Sequence, residues 1–417
     1  MSEWKEYYLN DVYSISSGLS KPAEDFGSGF PFLSFKEVFN NFFIPEKLSE
    51  LVESTEKERL QCSIKRGDVF LTRTSETVKE LGMSCVALKD YENATFNGFT
   101  KRLRPKENVE IIPEYAGYYF RNSKFRQEVT AMSSASTRAS LNIEMIGRLK
   151  IILPSKVEQT SIAFILKNLD DKIENLRRQN ETLEQIAQTL FKHWFIDFEF
   201  PNADGKPYKS SGGAMSPSEL GDIPEGWRVG KLGELITVNP KETIKNGEIV
   251  KYVDMRALST SSMEITDYVT REFTSGSKFR NQDTLLARIT PCLENGKTAF
   301  VSILDDEELA FGSTEFIVLR AKENCCPEYV YPLARSPYFR DFAVKNMTGS
   351  SGRQRIPNDV ISNYQLSIPD IQTIKNYQKL CCPLFLKTSS NQKQIQTLTK
   401  TRDTLLPKLM SGQLRVK

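Results

Sequence analysis

The sequence predicts an α+β protein in which two similar mixed α/β domains are each followed by a long helix, and the two long helices pair as a coiled coil. Two observations lead to this fold class. A heptad seam follows each of two prolines, Pro154 and Pro369, and short motifs from the first half of the chain recur in the second half. The two prolines lie 215 residues apart in a chain of 417 residues. We therefore expect a duplicated fold.

The first long helix is predicted between Pro154 and Trp194. Its apolar residues alternate spacings of four and three, the period at which one stripe of a helix faces a partner helix. Asn180 lies in the middle of this stripe, and Asp170 and Glu184 are expected to flank it as solvated charges. About 36 residues at about 1.5 Å each give a rod of about 50 Å, which needs a partner to be stable. An amphipathic helix on a globular core is the alternative, but the sustained period favours a coiled coil. The predicted seam residues are Ile162, Leu166, Leu169, Ile173, Leu176, Leu183 and Leu190.

The partner helix is predicted near the C-terminus, from Ile374 onwards. Its seam is more polar than the first one, and Pro383 lies inside it. Because proline removes a helical hydrogen bond and crowds the preceding turn, we expect a kink at Pro383 or a helix that restarts near it. The apolar members of this second seam are Ile395, Leu398, Leu405 and Leu409.

Both halves of the chain carry one skeleton of short motifs. Trp4-Lys5 matches Trp227-Arg228, residues 67–74 match 282–289, and residues 136–138 match 351–353, while the residues between the motifs differ. This predicts one fold with two different surfaces. Each domain is expected to contain strands, a helix (within 115–129 or 329–344) and one more strand before the long helix. The predicted boundaries are 1–154 for the first domain, 155–196 for the first helix, 197–226 for a linker, 227–369 for the second domain and 370–417 for the second helix.

Composition and motifs disfavour several classes of function. The net charge of +3 is compatible with local basic faces, but it does not by itself indicate nucleic-acid binding. The seven cysteines have no C-x-x-C spacing and indicate reduced thiols in a cytoplasm, and no signal peptide or membrane helix is predicted. His193 is the only histidine and is expected to pack or cap at a helix end, so histidine-based triads are excluded. The acidic run 305–308 is expected to be a turn, and no phosphate-binding loop is present. The sequence offers no convincing catalytic or metal site.

Two further motifs allow a comparison with a known family. The first helix is followed by Gly205-Lys206-Pro207-Tyr208 and then by Ile223-Pro224-Glu225-Gly226-Trp227, and the chain closes with Leu405-Leu406-Pro407-Lys408-Leu409-Met410-Ser411-Gly412. In this order, and combined with the alternation of variable domain and long helix, the chain resembles the DNA-specificity subunit of type I restriction–modification systems.

The resemblance implies a function as well as a fold. The two domains would be target-recognition domains that each read one half of a bipartite site in double-stranded DNA. The two helices would form an antiparallel coiled coil that separates the domains and docks two modification (methyltransferase) subunits. S-adenosylmethionine, ATP and Mg²⁺ would be bound by the modification and restriction subunits, with no cofactor on this chain and no membrane partner. A coiled-coil scaffold without DNA readout and a self-contained restriction enzyme remain alternatives.

The predicted rod also limits the spacing of the site. A rod of about 50 Å spans at most roughly 15 base pairs at about 3.4 Å per pair. We therefore expect two short recognised DNA elements whose centres lie about one helical turn of DNA, or a little more, apart. Contacts to DNA require basic or amide side chains, or hydroxyl groups, in the divergent loops. The candidates are Lys36, Arg73, Thr74, Lys79, Lys101, Ser136, Thr137 and Arg138 in the first domain, and Arg256, Arg288, Thr290, Lys297, Thr348, Arg353, Gln354 and Arg355 in the second.

Overall fold

The computed structural model of the chain describes residues 4–75, 80–107, 109–132 and 139–416. The chain divides into two compact units. Unit 1 comprises Met1–Ile173 and Thr397–Lys417, and unit 2 comprises Glu174–Gln396. The division cuts through both long helices, so each unit contains one α/β domain and a segment of each helix.

Unit 1 contains a mixed domain of short strands and helices. Its helices are α1 (Leu9–Val12), α2 (Phe35–Asn40), α3 (Glu56–Gln61), α4 (Pro113–Tyr119), α5 (Ser123–Met132) and α6 (Ile143–Gly147), and the long helix α7 (Lys156–Phe195) begins in this unit. Its strands are β1 (Lys5–Tyr8), β2 (Tyr13–Ser17), β3 (Phe26–Leu33), β4 (Glu50–Val52), β5 (Val69–Thr72), β6 (Thr74–Ser75), β7 (Ser84–Val86), β8 (Thr95–Phe96), β9 (Thr100–Pro105), β10 (Ala139–Ser140) and β11 (Lys150–Leu153).

Two sheets form the centre of unit 1. One has the strand order β2-β9-β5-β7 and is antiparallel, and the other has the order β4-β3-β8 with β3 and β8 parallel. The first strand of the domain, β1, pairs with the last, β11. Val69, Phe70 and Leu71 of β5 are fully buried, as expected for a central strand covered on both faces. This packing holds the loops that follow the strands in fixed positions.

Unit 2 repeats this arrangement. Its helices are α8 (Pro327–Arg335), α9 (Pro337–Lys345) and α10 (Asn358–Ser362), and the long helix α11 (Ile371–Met410) begins in this unit. Its strands are β12 (Met215–Ser216), β13 (Ile223–Pro224), β14 (Arg228–Lys231), β15 (Ile236–Val238), β16 (Ile249–Val253), β17 (Val269–Glu272), β18 (Ser277–Arg280), β19 (Thr284–Ala287), β20 (Thr298–Phe300), β21 (Leu309–Gly312), β22 (Phe316–Ala321) and β23 (Gln365–Ile368).

The main sheet of unit 2 matches that of unit 1 strand by strand, and the second sheet has four strands where that of unit 1 has three. The sheet β15-β22-β19-β20 corresponds to β2-β9-β5-β7, and the sheet β17-β16-β21-β18 contains one parallel pair, β16 with β21. The first strand, β14, pairs with the last, β23. The duplication predicted from the motifs is therefore present in the fold.

A buried ion pair lies at the same place in both sheets. In unit 1 the Nε and Nη2 atoms of Arg104 donate to the two carboxylate oxygens of Asp68 at 2.7 and 2.6 Å. In unit 2 the same atoms of Arg320 donate to Asp283, both at 2.7 Å. Bidentate pairs of this kind fix orientation as well as charge. Each pair therefore joins two neighbouring strands of the main sheet in a fixed orientation.

The two long helices contact each other within each unit, and two contacts in unit 2 show that they run antiparallel there. In unit 1, Arg402 of α11 donates to Asp170 of α7 at 2.6 Å. In unit 2, the amide of Asn391 donates to the side-chain oxygen of Asn180 at 2.8 Å, and the hydroxyl of Tyr377 donates to the Ala187 carbonyl at 3.4 Å. Because residue numbers rise on one helix as they fall on the other, the pairing is antiparallel. The predicted seam residues are buried or half-buried: Ile162, Leu166, Leu169, Ile173, Leu176, Leu183, Leu190, Ile395, Leu398, Leu405 and Leu409.

Several expectations about the helices were wrong. Of the two alternatives expected at Pro383, the restart is wrong, because α11 is continuous from Ile371 to Met410, and the kink stays a prediction. Pro383 lies on the exposed side of α11, where the carbonyl that loses its partner can be hydrated. Asp170 and Glu184 are not simply solvated, since Asp170 pairs with Arg402 and Glu184 is buried.

The region expected to hold one helix in each domain holds two, followed by a third short helix. Asn122 interrupts the first region by accepting the Phe125 N–H at 3.0 Å, and Ser336 accepts the Phe339 N–H at 3.2 Å in the second. Short polar residues at such positions begin a new helix. His193 is exposed rather than packed, although its carbonyl accepts the Glu199 N–H at 2.8 Å at the helix end.

Candidate nucleic-acid interface

In unit 2, six of the eight candidate residues lie on two adjoining loops after β19 and after α9. The Thr290 N–H donates to the Gln354 carbonyl at 3.0 Å. Thr348 and Arg355 exchange two backbone hydrogen bonds of 2.9 and 2.8 Å, and Arg288 donates through Nη2 to the Ile356 carbonyl at 3.0 Å. Arg353 lies between them in sequence. The structure therefore assembles Arg288, Thr290, Thr348, Arg353, Gln354 and Arg355 into one surface, which we call the second-domain surface.

The two arginines at the edge of this surface differ in their partners. Arg355 makes a bidentate pair with Glu315, with 2.9 Å from Nε to Oε2 and 2.6 Å from Nη2 to Oε1 of the carboxylate. The Arg355 guanidinium lowers the pKa of the Glu315 carboxyl. Arg353 is exposed, and its described contacts involve only its backbone. The guanidinium of Arg353 is thus available to a ligand, whereas that of Arg355 already has an acid.

Two donors on the second-domain surface are buried without a protein partner among the described residues. These are the Nε–H of Arg288 and the hydroxyl of Thr290. A buried donor without an acceptor costs free energy, so such atoms need another explanation.

The other two candidates of unit 2, Arg256 and Lys297, lie near each other, and Arg256 lines a separate cleft. The Lys297 ammonium donates to the Met255 carbonyl at 2.9 Å, so this lysine holds a loop. Arg256 is 92% exposed and pairs with Asp254 at 3.2 Å, and its backbone N–H lowers the pKa of the Asp254 carboxyl. The cleft has a volume of about 570 Å³, and Arg256 is part of its lining.

In unit 1, three of the candidate residues line one open cleft. Arg73, Thr74 and Lys101 share it with Ser140 and Asn142, and its volume is about 440 Å³. Burial, followed by the nearby Arg73 charge, lowers the pKa of Lys101. The Leu141 N–H donates to the Arg73 carbonyl at 2.8 Å, just as the Ile356 N–H donates to the Arg288 carbonyl at 3.0 Å. This first-domain surface thus corresponds to the second-domain surface.

Lys36 lies apart from that cleft, on α2. It is exposed, and α2 begins with a capping box in which Ser34 accepts the Glu37 N–H at 3.3 Å. Asp254 caps the equivalent turn of unit 2 by accepting the Arg256 N–H at 2.9 Å, so Lys36 and Arg256 occupy matching positions. The candidates Lys79, Ser136, Thr137 and Arg138 lie outside the described residues.

Sequence reasoning missed some residues that line the clefts. Ser140 and Asn142 line the cleft of unit 1, and Tyr252 and Arg271 line the separate cleft of unit 2, where the Arg271 guanidinium lies 3.5 Å from the Tyr252 ring centroid. Asn142 could have been found because it lies four residues after the repeated motif at 136–138. Arg271 lies in a strand that pairs with Tyr252 only after folding, so no local signal marks it.

The described residues contain no group of three or more His, Cys, Asp or Glu side chains placed to hold a metal ion. The seven cysteines are all unpaired thiols. Within the same described ranges, none of the helices combines the length and apolar character needed to span a membrane.

Comparison with known proteins identifies the family. The model of the type I restriction modification DNA specificity domain matches the chain twice, at residues 1–185 and 224–400. The MjaIX type I restriction enzyme specificity subunit of Methanocaldococcus jannaschii is 29% identical over 435 aligned residues, which cover 99% of this chain and 94% of the relative. The HindI specificity subunit of Haemophilus influenzae is 23% identical, covering 99% of this chain and 100% of the relative.

A solved structure shares the fold. The S subunit of a type I restriction–modification system from M. genitalium superimposes with a TM-score of 0.59 at 14% identity, covering 98% of this chain and 96% of that one. The two family matches together span most of the chain. The chain therefore belongs to the type I restriction modification DNA specificity family and is a specificity subunit with two DNA specificity domains.

Proposed function

We propose that each domain reads one half of a bipartite site in double-stranded DNA and that the paired helices set the distance between the two halves. The observation that carries this proposal is the pair of corresponding surfaces. They have the same skeleton, marked by the arginines Arg73 and Arg288, but they present different side chains. A duplicated skeleton with divergent polar loops is suited to reading two different sequences, because base edges are distinguished by the pattern of donors and acceptors.

The contacts on the second-domain surface suggest different roles for its residues. Arg353 and Gln354 can reach base edges, since a guanidinium can bind guanine and an amide can bind adenine with two hydrogen bonds. Arg288 and Thr290 bring a guanidinium and a hydroxyl group to this surface and are suited to a phosphate, which is a contact that positions the protein without reading sequence. Arg355 is the least suited to contact DNA, because Glu315 occupies its guanidinium and would repel a phosphate.

The outer faces of the long helices offer sites for partner subunits. In unit 1, Val157 and Phe164 of α7 are 72% and 68% exposed. In unit 2, Leu380 and Leu386 of α11 are also exposed. Apolar side chains in such positions are typical of protein interfaces. We assign these two faces to two modification subunits, one for each unit.

The chemistry of modification and restriction is assigned to partner subunits. S-adenosylmethionine would bind to the modification subunits, and ATP and Mg²⁺ to restriction subunits, with the complex acting in the cytoplasm. This assignment rests on the family relationship. Incubation of the purified chain with DNA, Mg²⁺, ATP and S-adenosylmethionine tests it, because cleavage or methylation by this chain alone would contradict it.

The central experiment is to co-express the chain with its modification subunit and to map methylated adenines across the host genome. A single bipartite motif that disappears when this chain is omitted is the expected result. Unchanged methylation, with the complex demonstrably formed, would instead favour a scaffold that reads no DNA.

A further inference from the structure

An arginine occupies the same position in both units, at the end of the first helix after the sheets. Arg121 follows α4, and Arg335 is the last residue of α8. In each unit the next residue, Asn122 or Ser336, caps the following helix. The two arginines are therefore equivalent members of the repeat.

In unit 1, Arg121 binds carbonyl oxygens from two segments of the chain. Its Nη2 lies 2.9, 2.9 and 2.8 Å from the carbonyl oxygens of Val38, Phe39 and Asn41, and its Nε donates to the Ser84 carbonyl at 2.7 Å. The first three carbonyls form the C-terminal end of α2, which carries Lys36. Carbonyls at a helix end have no helical partner, and a cation there is favoured by the helix dipole.

In unit 2, Arg335 does the same for the equivalent segment. Its Nη1 donates to the carbonyls of Gly296 at 2.9 Å and Ser259 at 3.3 Å, and its Nη2 donates to Thr260. Residues 259 and 260 follow the turn that carries Arg256, and Gly296 precedes Lys297. One guanidinium thus joins the loop that follows Arg256 to the loop that precedes Lys297.

Each arginine is also linked to a long helix. The Glu184 carboxylate of α7 lies 3.6 Å from the Arg335 Nε, and it accepts the Tyr331 hydroxyl and the Met263 N–H, both at 2.6 Å. In unit 1 the link passes through an aromatic ring. The guanidinium of Arg121 lies 5.3 Å from the Phe42 ring centroid, and that of Arg402 of α11 lies 5.8 Å from the same centroid.

We propose that Arg121 and Arg335 are positioning residues for half-site recognition, an inference that rests on the proposed function. Each holds the segment that presents Lys36 or Arg256 at a fixed distance from the helices. The planar guanidinium has five donors in a rigid arrangement, whereas lysine offers a single flexible ammonium. Replacement by lysine keeps the positive charge and removes the planar arrangement of donors that contacts several carbonyls at once.

The test uses the full chain in complex with its modification subunit. Affinity is measured for the methylated-motif duplex and for duplexes mutated in one half-site or the other. For Arg335→Lys, discrimination against the mutated second half-site is expected to fall about tenfold or more, while discrimination at the first half-site is unchanged. Arg121→Lys should show the reverse. Arg178→Lys, an exposed position on α7, is the matched control and should change neither.

The possible outcomes separate this inference from the proposed function. A folded Arg335→Lys complex with unchanged discrimination at the second half-site would overturn the inference, and so would an equal loss for all duplexes. If the wild-type chain discriminates at neither half-site, the proposed function fails and the inference fails with it. If Arg335→Lys does not fold, Glu184→Gln takes its place, because it removes the charge that faces Arg335. It is expected to weaken discrimination at the second half-site alone, and no change there would overturn the inference.

Discussion

At the residue scale, Arg353 is the side chain best placed to read a base. It is exposed, it lies on the second-domain surface, and only its backbone takes part in the described contacts. We expect Arg353→Ala to relax sequence preference at one position of the second half-site and to cost about 1–3 kcal/mol of binding free energy there. The binding affinity for duplexes that vary at each position of the second half-site measures this change in preference. Arg178→Ala is the control, and unaltered preference in Arg353→Ala would count against the assignment.

The duplicated ion pair is expected to be important for stability. Asp68 is fully buried and accepts from Arg104 and from the Lys65 N–H at 2.8 Å. Asp68→Ala removes the carboxylate that accepts two hydrogen bonds from the partly buried Arg104 guanidinium. We expect this change to cost about 3–5 kcal/mol of unfolding free energy. Denaturant unfolding measures the loss. Glu144→Ala breaks the exposed pair with Arg148 and should change the unfolding free energy little. An equally small loss for Asp68→Ala would contradict the prediction.

Glu264 is expected to make stability depend on pH. Burial raises the pKa of this carboxyl from 4.5 to about 7, and the nearby Glu184 charge adds to the effect. Between these two pKa values the folded chain holds a proton that the unfolded chain has released. The unfolding free energy is therefore highest at low pH, falls as the pH rises from 4.5 to about 7, and levels off above that. We expect Glu264→Gln to remove a slope of up to about 1.4 kcal/mol per pH unit. Unfolding free energies at pH 5 and pH 7.5 test this, and an unchanged slope would refute it.

The surface residues were only partly predictable from sequence. Arg288 and Arg353 could be chosen because they lie in motifs that the repeat marks, and the fold brings them onto one surface with Thr290. Arg121 and Arg335 were missed, since their acceptors are backbone carbonyls from distant segments that no composition signal reveals. Glu184 was misjudged for the same reason, because a charge on a helix flank looks solvated until Tyr331 and Arg335 are placed against it.

At the element scale, the heptad seam gives the sharpest expectation. Leu166 is fully buried, whereas Phe164, two residues earlier on α7, is 68% exposed. Leu166→Ala is expected to lower the unfolding free energy by about 2–5 kcal/mol through the cavity that it leaves. Phe164→Ala should change it by no more than about 0.5 kcal/mol. Denaturant unfolding of the two variants side by side checks this, and similar losses would mean that the seam is wrongly placed.

The helices themselves were predicted well, and their ends and interruptions less well. A period of 3.5 residues is a local property, so α7 and the seam of α11 can be read from the sequence alone. The break at Asn122 depends on one short capping side chain, which is a weak local signal. The continuity of α11 through Pro383 depends on which side of the helix meets solvent, and this is known only after the partner helix is in place.

At the scale of the whole molecule, the long helices are expected to act as a ruler. Each has 40 residues, or about 60 Å at about 1.5 Å per residue, which is longer than the predicted rod. Inserting one heptad at paired positions of α7 and α11 adds about 10 Å and should lengthen the preferred spacer by up to about three base pairs. Mapping methylated adenines for the variant measures the spacer. An insertion of seven residues into the loop 201–213 is the control, and a spacer that stays fixed in the heptad variant would disprove the ruler.

The buried pair of Asn180 and Asn391 has a consequence for how target spacing can change over generations. If the helices slipped by one heptad, the Asn180 amide would face Leu398 in one direction and Leu384 in the other. A buried amide without a partner is costly, so the pair locks the alignment, as single polar residues do in other coiled coils. If the helices set the spacing as proposed, gradual drift of the spacing is disfavoured. We then expect new spacings to arise by matched in-frame gains or losses in both helices, so that a lineage inherits its spacing in discrete steps.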